Sequence, residues 1–362
     1  MIRIGITQGD INGISYEVIL KTLEEPHVFD VCIPIIYGSS KIAGFHRKAL
    51  NINNVNIKVI NSPDEAIPGA VNIVNCINEE LKVEYGNSTT QAGEAAYAAL
   101  ERCTKDFSDG LIHAIVTGPI NKNNIHSANF NFPGHTEYIE ERLGKGRKSL
   151  MILAHERVKV ALVTAHVPIS MVPSMITPEL LTQKIETFNL SLKTDFSIQK
   201  PMIAVLGLNP HAGDGGVLGK EDIEIILPTI QELNKKGILC YGPYPADGFF
   251  GSGNFAKFDG ILAMYHDQGL APFKLLAMED GVNITAGLPV VRTSPAHGTA
   301  YDIAGQGIAS ESSFRSALFM AIDVVNSRKQ YKEMRANPLR KQFFERGSDA
   351  DVSTLISSNS NE

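Results

Sequence analysis

Short apolar runs separated by longer amphipathic stretches set the rhythm of this chain. The runs IRIGIT, CIPIIYG, IHAIVTG, KVALVTAH, PMIAVLGLNPH and GILAMYH are nearly continuous in hydrophobic residues, the pattern of strands buried on both faces. Between them, TTQAGEAAYAALERCTKDF and KEDIEIILPTIQELNKKG are long enough for helices, and the second has apolar residues at helical spacing before Gly237, a helix stop. This alternation predicts an α/β fold with a largely parallel sheet. SLMILAHERVKVALVTAH departs from it: two strands flank a turn at His155 to Arg157 that is too short for a crossover, so they pair antiparallel and the sheet is mixed. The terminal SSNSNE carries no pattern and reads as frayed.

Composition changes the picture in two ways. With 362 residues, 43% of them hydrophobic, the chain exceeds the roughly 250 to 300 residues at which single cores stop growing, so two domains are expected. The net charge of -6, from 33 basic and 39 acidic residues, and the lack of a dense Lys/Arg stripe argue against a nucleic-acid partner. Cys32, Cys76, Cys103 and Cys240 are scattered without CxxC spacing and read as small buried hydrophobes. MIRIGITQGD enters a strand directly, and no apolar run reaches the ~20 residues of a membrane span. A cytoplasmic protein with no membrane partner is the expectation.

Polar clusters follow several of the buried runs. His166 comes after KVALVTA, His211 after IAVLGLNP and His266 after GILAMY, so three strands deliver three imidazoles to one kind of edge. Each alone is explained by a strand-end hydrogen bond; the threefold recurrence points to a divalent metal with an open coordination position. Asp247 and Asp267 follow further strand-like runs, where they could orient an imidazole, accept a substrate proton or simply shape a turn. FPGHTEYIEERLG puts Gly134, His135 and Thr136 just ahead of a helix with acidic Glu137, which suits either phosphate or carboxylate binding or an ordinary cap by Thr136. Lys274 and Arg292 lie in apolar surroundings, where an unpaired cation is costly, so an anion or a structural salt bridge should meet them. SPAHGTAYDIAGQG is not the GxGxxG fingerprint, and no GxxxxGK[ST] loop occurs. Its glycines around His297 and Asp302 describe a tight loop in which an acid could bind ribose hydroxyls and small Ala300 permits close approach.

The blocks TQGDINGISYE, TGPINK, PGHTEY, TAHVP, NPHAGDGG, GPYPAD, YHDQGLAPFK and RTSPAHGTAYDIAG occur in order from residue 7 to about residue 305. Together they resemble the 4-hydroxythreonine-4-phosphate dehydrogenase family of vitamin B6 synthesis, and the last block resembles the adenosine-holding loop of isocitrate and isopropylmalate dehydrogenases. The chain departs from the family pattern at Ile11, Asn12, Ser15 and Tyr16, and Ala296 stands where an aspartate is common. The resemblance implies two α/β/α domains with mixed, largely parallel sheets, residues 1–125 with 300–362 and residues 126–299, and an active site in the cleft between them. It implies that His166, His211 and His266 bind one divalent metal (zinc, magnesium or cobalt) across a homodimer interface, with His266 of one subunit completing a set begun by His166 and His211 of the other. It also implies a phosphosubstrate held by His135, Thr136, Lys274, Asn283 and Arg292, and NAD or NADP held by the loop containing His297, Gly298, Thr299, Ala300 and Asp302.

The chemistry implied is oxidation of 4-phosphohydroxy-L-threonine at its secondary alcohol, with Asp247 and Asp267 as candidate bases, followed by loss of carbon dioxide from the β-keto acid. The products would be 3-amino-2-oxopropyl phosphate, carbon dioxide and the reduced nicotinamide. Two rivals stand beside it: the same chemistry on D-threonate or D-erythronate 4-phosphate, and a metal-dependent phosphatase or other hydrolase, which would have no use for the HGTAYDIAG loop.

Overall fold

Twelve strands form one mixed sheet in the order β3-β4-β2-β1-β5-β12-β11-β6-β7-β10-β8-β9. The computed structural model describes residues 1–77, 80–126 and 130–337, so SSNSNE lies outside the described residues. The first six strands in sequence are β1 (Ile2–Thr7), β2 (Cys32–Gly38), β3 (Ile57–Ile60), β4 (Val71–Asn75), β5 (Ala114–Thr117) and β6 (Leu150–His155). The remaining six are β7 (Val158–Leu162), β8 (Met202–Leu206), β9 (Leu239–Tyr244), β10 (Gly260–Ala263), β11 (Val282–Ala286) and β12 (Arg292–Pro295). The apolar runs behave as their composition requires: β2, β5, β10 and β12 are buried along their whole length because helices cover both faces of the sheet.

Antiparallel pairing is confined to the middle of the sheet, at β12-β11, β11-β6 and β6-β7. The β6–β7 pair is the hairpin expected from its short turn, with His155 opposite Val158. The antiparallel strands reverse the chain, so the parallel set β7, β10, β8 and β9 runs opposite to β1, β5 and β12. The helix Thr90–Ser108 forms as its spacing predicts. KEDIEIILPTIQELNKKG instead opens with a π-helical turn at Asp222–Ile226 before its α-helical part, Leu227–Lys235. Gly237 then takes a left-handed φ of 82°, which glycine supplies without steric cost. All four cysteines are free, three of them fully buried. Among the described residues no helix is long and apolar enough to cross a membrane.

Candidate active site

Arg292 opens β12 and is 3% exposed. Its guanidinium donates to the Thr117 hydroxyl from two nitrogens, at 3.2 and 2.6 Å, and to the Thr285 hydroxyl at 3.2 Å. No carboxylate forms an ion pair with it among the described residues, so the structural salt bridge weighed from the sequence is not what holds it. Burial lowers its pKa to about 10, which still leaves it charged at neutral pH. A buried charge met only by hydroxyls is costly, and this one borders a cavity of about 320 Å³.

His135 and Thr136 line the same cavity. The helix His135–Leu143 starts two residues earlier than the sequence suggested, with Gly134 as its N-cap and no side-chain cap. Thr136 therefore belongs to the first turn and does not cap the helix. Free amides of that turn have a positive electrostatic bias. Burial, with Arg292 and Lys122 nearby, depresses the His135 pKa well below its ordinary value, so the ring is a neutral hydrogen-bonding group. Asn283 on β11 lines the cavity and its buried Oδ1 has no hydrogen-bond partner. Lys274 also reaches the cavity, but it corrects the sequence reading: it is solvent-exposed on the helix His266–Ala277, not enclosed by apolar residues.

The strands β7, β10 and β8 are parallel neighbours, so His166, His266 and His211 leave the sheet at one edge as expected. The structure then divides them. The rings of His166 and His266 face each other with centroids 5.9 Å apart, beside the cavity. His211 is exposed on a separate loop and does not line that cavity. Among the described residues no three His, Cys, Asp or Glu side chains gather as a metal cluster. The grouping expected from sequence, His166 with His211 and apart from His266, is thus corrected: His166 and His266 pair within one chain. The loop bearing His211 is unusual in itself. His211, Ala212 and Asp214 all have positive φ, with Gly213, Gly215 and Gly216 among them, and such non-glycine residues store strain of ~1 to 3 kcal/mol each. Buried Asp222 anchors the loop by accepting from the amides of Leu208 and Asn209 and from the Asn209 side chain.

The two candidate bases separate as well. Asp267 accepts a hydrogen bond from Nδ1 of His266 at 2.7 Å, leaving Nε2 as the ring's other donor atom. Asp247 is exposed near the start of the short helix Ala246–Gly251 and lies outside the cavity lining.

The cofactor loop is only partly on the cavity. His297 and Gly298 line it; Thr299, Ala300 and Asp302 do not. His297 donates from Nδ1 to the Gly298 carbonyl, 3.0 Å away, while its buried Nε2 has no partner. Burial lowers its pKa. Ala300 adopts a left-handed φ of 43°. The amino-terminal block holds the loop in place: the Ile14 amide donates to the Thr299 carbonyl at 3.0 Å and Tyr301 donates to Asp10 at 2.7 Å. Residue-by-residue reading missed Asp10, Tyr301, Thr117, Lys122 and Glu137 as parts of this region. The available signal was that all five sit in the quoted blocks: Asp10 in TQGDINGISYE, Thr117 and Lys122 in TGPINK, Glu137 in PGHTEY and Tyr301 in RTSPAHGTAYDIAG. Glu137 places Oε1 3.7 Å from His166 Nδ1, a polar contact at a separation too long for a hydrogen bond. That contact chiefly holds its carboxyl below the ordinary range.

Comparison with known proteins adds a second line of observation. The model of the family described as pyridoxal phosphate biosynthetic protein PdxA matches residues 30–321. A 4-hydroxythreonine-4-phosphate dehydrogenase of Bacteroides thetaiotaomicron is 61% identical over 350 residues, which are 97% of this chain and 96% of the relative. A candidate D-threonate 4-phosphate dehydrogenase of Oceanobacillus iheyensis is 38% identical over 325 residues, 89% of this chain and 97% of that one. The crystal structure of the Klebsiella pneumoniae 4-hydroxythreonine-4-phosphate dehydrogenase superposes with a TM-score of 0.77 at 33% identity, covering 89% of this chain and 98% of the other.

Proposed function

The chain belongs to the pyridoxal phosphate biosynthetic protein PdxA family, and on that premise we propose that it oxidises 4-phosphohydroxy-L-threonine with NAD or NADP and releases carbon dioxide to give 3-amino-2-oxopropyl phosphate. The observation that carries this reading is the buried Arg292, without an ion-pair partner among the described residues, beside the His166–His266 pair in one cavity. A phosphate is the natural partner for that guanidinium, because charge-assisted bonds offset the cost of burying it. His135, Thr136, Lys274 and Asn283 complete the clamp, and the Asn283 Oδ1 left without a partner suits a protonated phosphate oxygen or an ordered water. Binding energy collected there orients the alcohol carbon, three bonds from phosphorus. In this reading the cavity is the cleft between residues 1–125 with 300–337 and residues 126–299.

The donor set fits a divalent ion. His166 and His266 would hold it from one subunit and His211 from the other, which accounts for the exposure of His211 on a strained loop away from the pair. When bound, such an ion supplies Lewis acidity at the alcohol oxygen and at the ketone formed from it. The chain's own residues do the positioning. Asp267 fixes the His266 ring through Nδ1, so Asp247 is the candidate left to take the alcohol proton, reaching it across the dimer interface. The loop at His297 to Asp302 bounds the cavity where the nicotinamide cofactor would enter, with Asp302 available to ribose hydroxyls.

D-threonate 4-phosphate is the second reading, supported by the 38% identical Oceanobacillus relative; the 61% identical Bacteroides relative favours the amino-acid substrate. Initial rates of NADH or NADPH formation on 4-phosphohydroxy-L-threonine, D-threonate 4-phosphate and D-erythronate 4-phosphate separate the readings. A higher kcat/KM on a sugar-acid phosphate would reverse the order, and no reduction of either nicotinamide would remove the dehydrogenase reading.

A further inference from the structure

Charge matching across the cavity singles out a residue that no expectation assigned. The described residues lining it include three permanent cations, Lys122, Lys274 and Arg292, and a single carboxylate, Glu137. A fully ionised 4-phosphohydroxy-L-threonine carries up to two negative charges on its phosphate, one on its carboxylate, and one positive charge on its ammonium. The charged side chains of the lining, counted without a metal ion, thus mirror the substrate's charges in sign. A sugar-acid phosphate offers the same negative charges but a neutral hydroxyl where the ammonium stands.

Position agrees with charge. Glu137 lies in the first turn of the helix His135–Leu143, directly after the two residues assigned to the phosphate. Its Oε1 is 3.7 Å from the His166 ring, and no lysine or arginine forms an ion pair with it among the described residues. In the substrate, the alcohol carbon adjoins the carbon bearing the ammonium. With the alcohol oxygen directed toward His166 and His266, the ammonium lies one carbon away, on the scale of the Glu137–His166 contact. Resting on the substrate reading above, we infer that Glu137 recognises the ammonium and sets the preference for an amino-acid phosphate over a sugar-acid phosphate.

The rival role for Glu137 is to orient His166 toward a metal, which would affect every substrate alike. The test uses purified wild-type enzyme, Glu137→Gln and Glu137→Asp. Each is assayed with 4-phosphohydroxy-L-threonine and with D-threonate 4-phosphate, the latter as a competitive inhibitor if it is not turned over. Zinc affinity and thermal midpoint are measured in parallel. For Glu137→Gln the expected result is a KM for the amino-acid substrate raised about 10- to 100-fold, the loss of one charge-assisted contact, with kcat within about threefold. The constant for D-threonate 4-phosphate should stay level or improve, zinc affinity should be unchanged, and Glu137→Asp should restore part of the discrimination. Parallel losses on both ligands, or a fall in zinc affinity that accounts for them, would overturn the assignment. If instead the wild-type enzyme oxidises neither compound, it is the substrate reading that falls, and the assignment with it.

Discussion

Arg292 shows how one side chain can be legible in type and not in environment. Its identity announced an anion, but only the fold shows that hydroxyls of Thr117 and Thr285, and no carboxylate, receive it. A buried cation with no carboxylate in direct contact weakens the ligand-free protein. Replacing it with the similarly long, apolar Met should therefore leave the thermal midpoint of the ligand-free enzyme level or raise it, while KM for the phosphorylated substrate rises about tenfold or more. A large drop in midpoint would make Arg292 a structural residue. His46 carries a different consequence. Buried, it has Nε2 3.0 Å from the Ile11 carbonyl and Nδ1 3.2 Å from the Tyr85 hydroxyl, and burial lowers its pKa to about 4. Between the ordinary value near 6.5 and about 4, the unfolded chain takes up a proton that the folded one refuses. Stability is thus fully present above pH 6.5 and lost as pH falls through this window, by about 2 kcal/mol between pH 7 and 5 from this ring alone. Denaturant titrations at the two pH values should show it, and His46→Gln, which keeps a donor for Ile11, should flatten the dependence by that amount.

Among the elements, the turn between β1 and the helix Ser15–Thr22 has the clearest dependence on a single residue. Gly13 lies against the loop of Thr299, where a Cβ would come within 2.6 Å of the Thr299 carbonyl oxygen. Backbone cannot yield as a side-chain tip can, so Gly13→Ala should displace the loop that Ile14 and Asp10 otherwise dock. The expected outcome is destabilisation of about 1 to 3 kcal/mol and a KM for the nicotinamide cofactor raised severalfold, with KM for the phosphosubstrate far less affected. Equal changes in both constants would mean that the loop does not act as a separate cofactor element. The turn also gives the TQGDINGISYE block a physical role: Asp10 accepts from Tyr301, Asn124 and the Asn12 amide, tying together segments almost 300 residues apart.

For the whole molecule, the division of the histidines is the decisive feature. His166 and His266 share one cavity of one chain while His211 does not line it, so the proposed three-histidine site draws its third ligand from a second copy. Mixing His211→Ala with His266→Ala chains under subunit exchange tests this. A heterodimer of the two collects both lesions in one site and leaves the other intact, so about a quarter of wild-type activity should return when exchange is random, half the dimers being mixed with one good site of two. Proven heterodimers with no recovered turnover would place all three ligands in a single chain.

The apolar runs by themselves determined the class of fold, the buried central strands, the β6–β7 hairpin and the strand edge from which the three histidines emerge, because burial on two faces and a short turn are local consequences of composition and spacing. Residue type determined the candidates for anion and metal chemistry for the same reason: imidazoles, guanidinium and hydroxyls have few uses at the end of a buried strand. Which candidates meet was decided only in three dimensions. The antiparallel strands at the centre reverse the direction of half the sheet, His211 sits on a left-handed loop outside the cavity that His166 and His266 line, the Thr117–Arg292 contact forms part of that cavity, and the Asp10–Tyr301 contact holds the loop beside it. Those contacts join residues far apart in sequence, and hydrophobic periodicity, which reports only whether a residue faces the core, has no term for its partner across the fold.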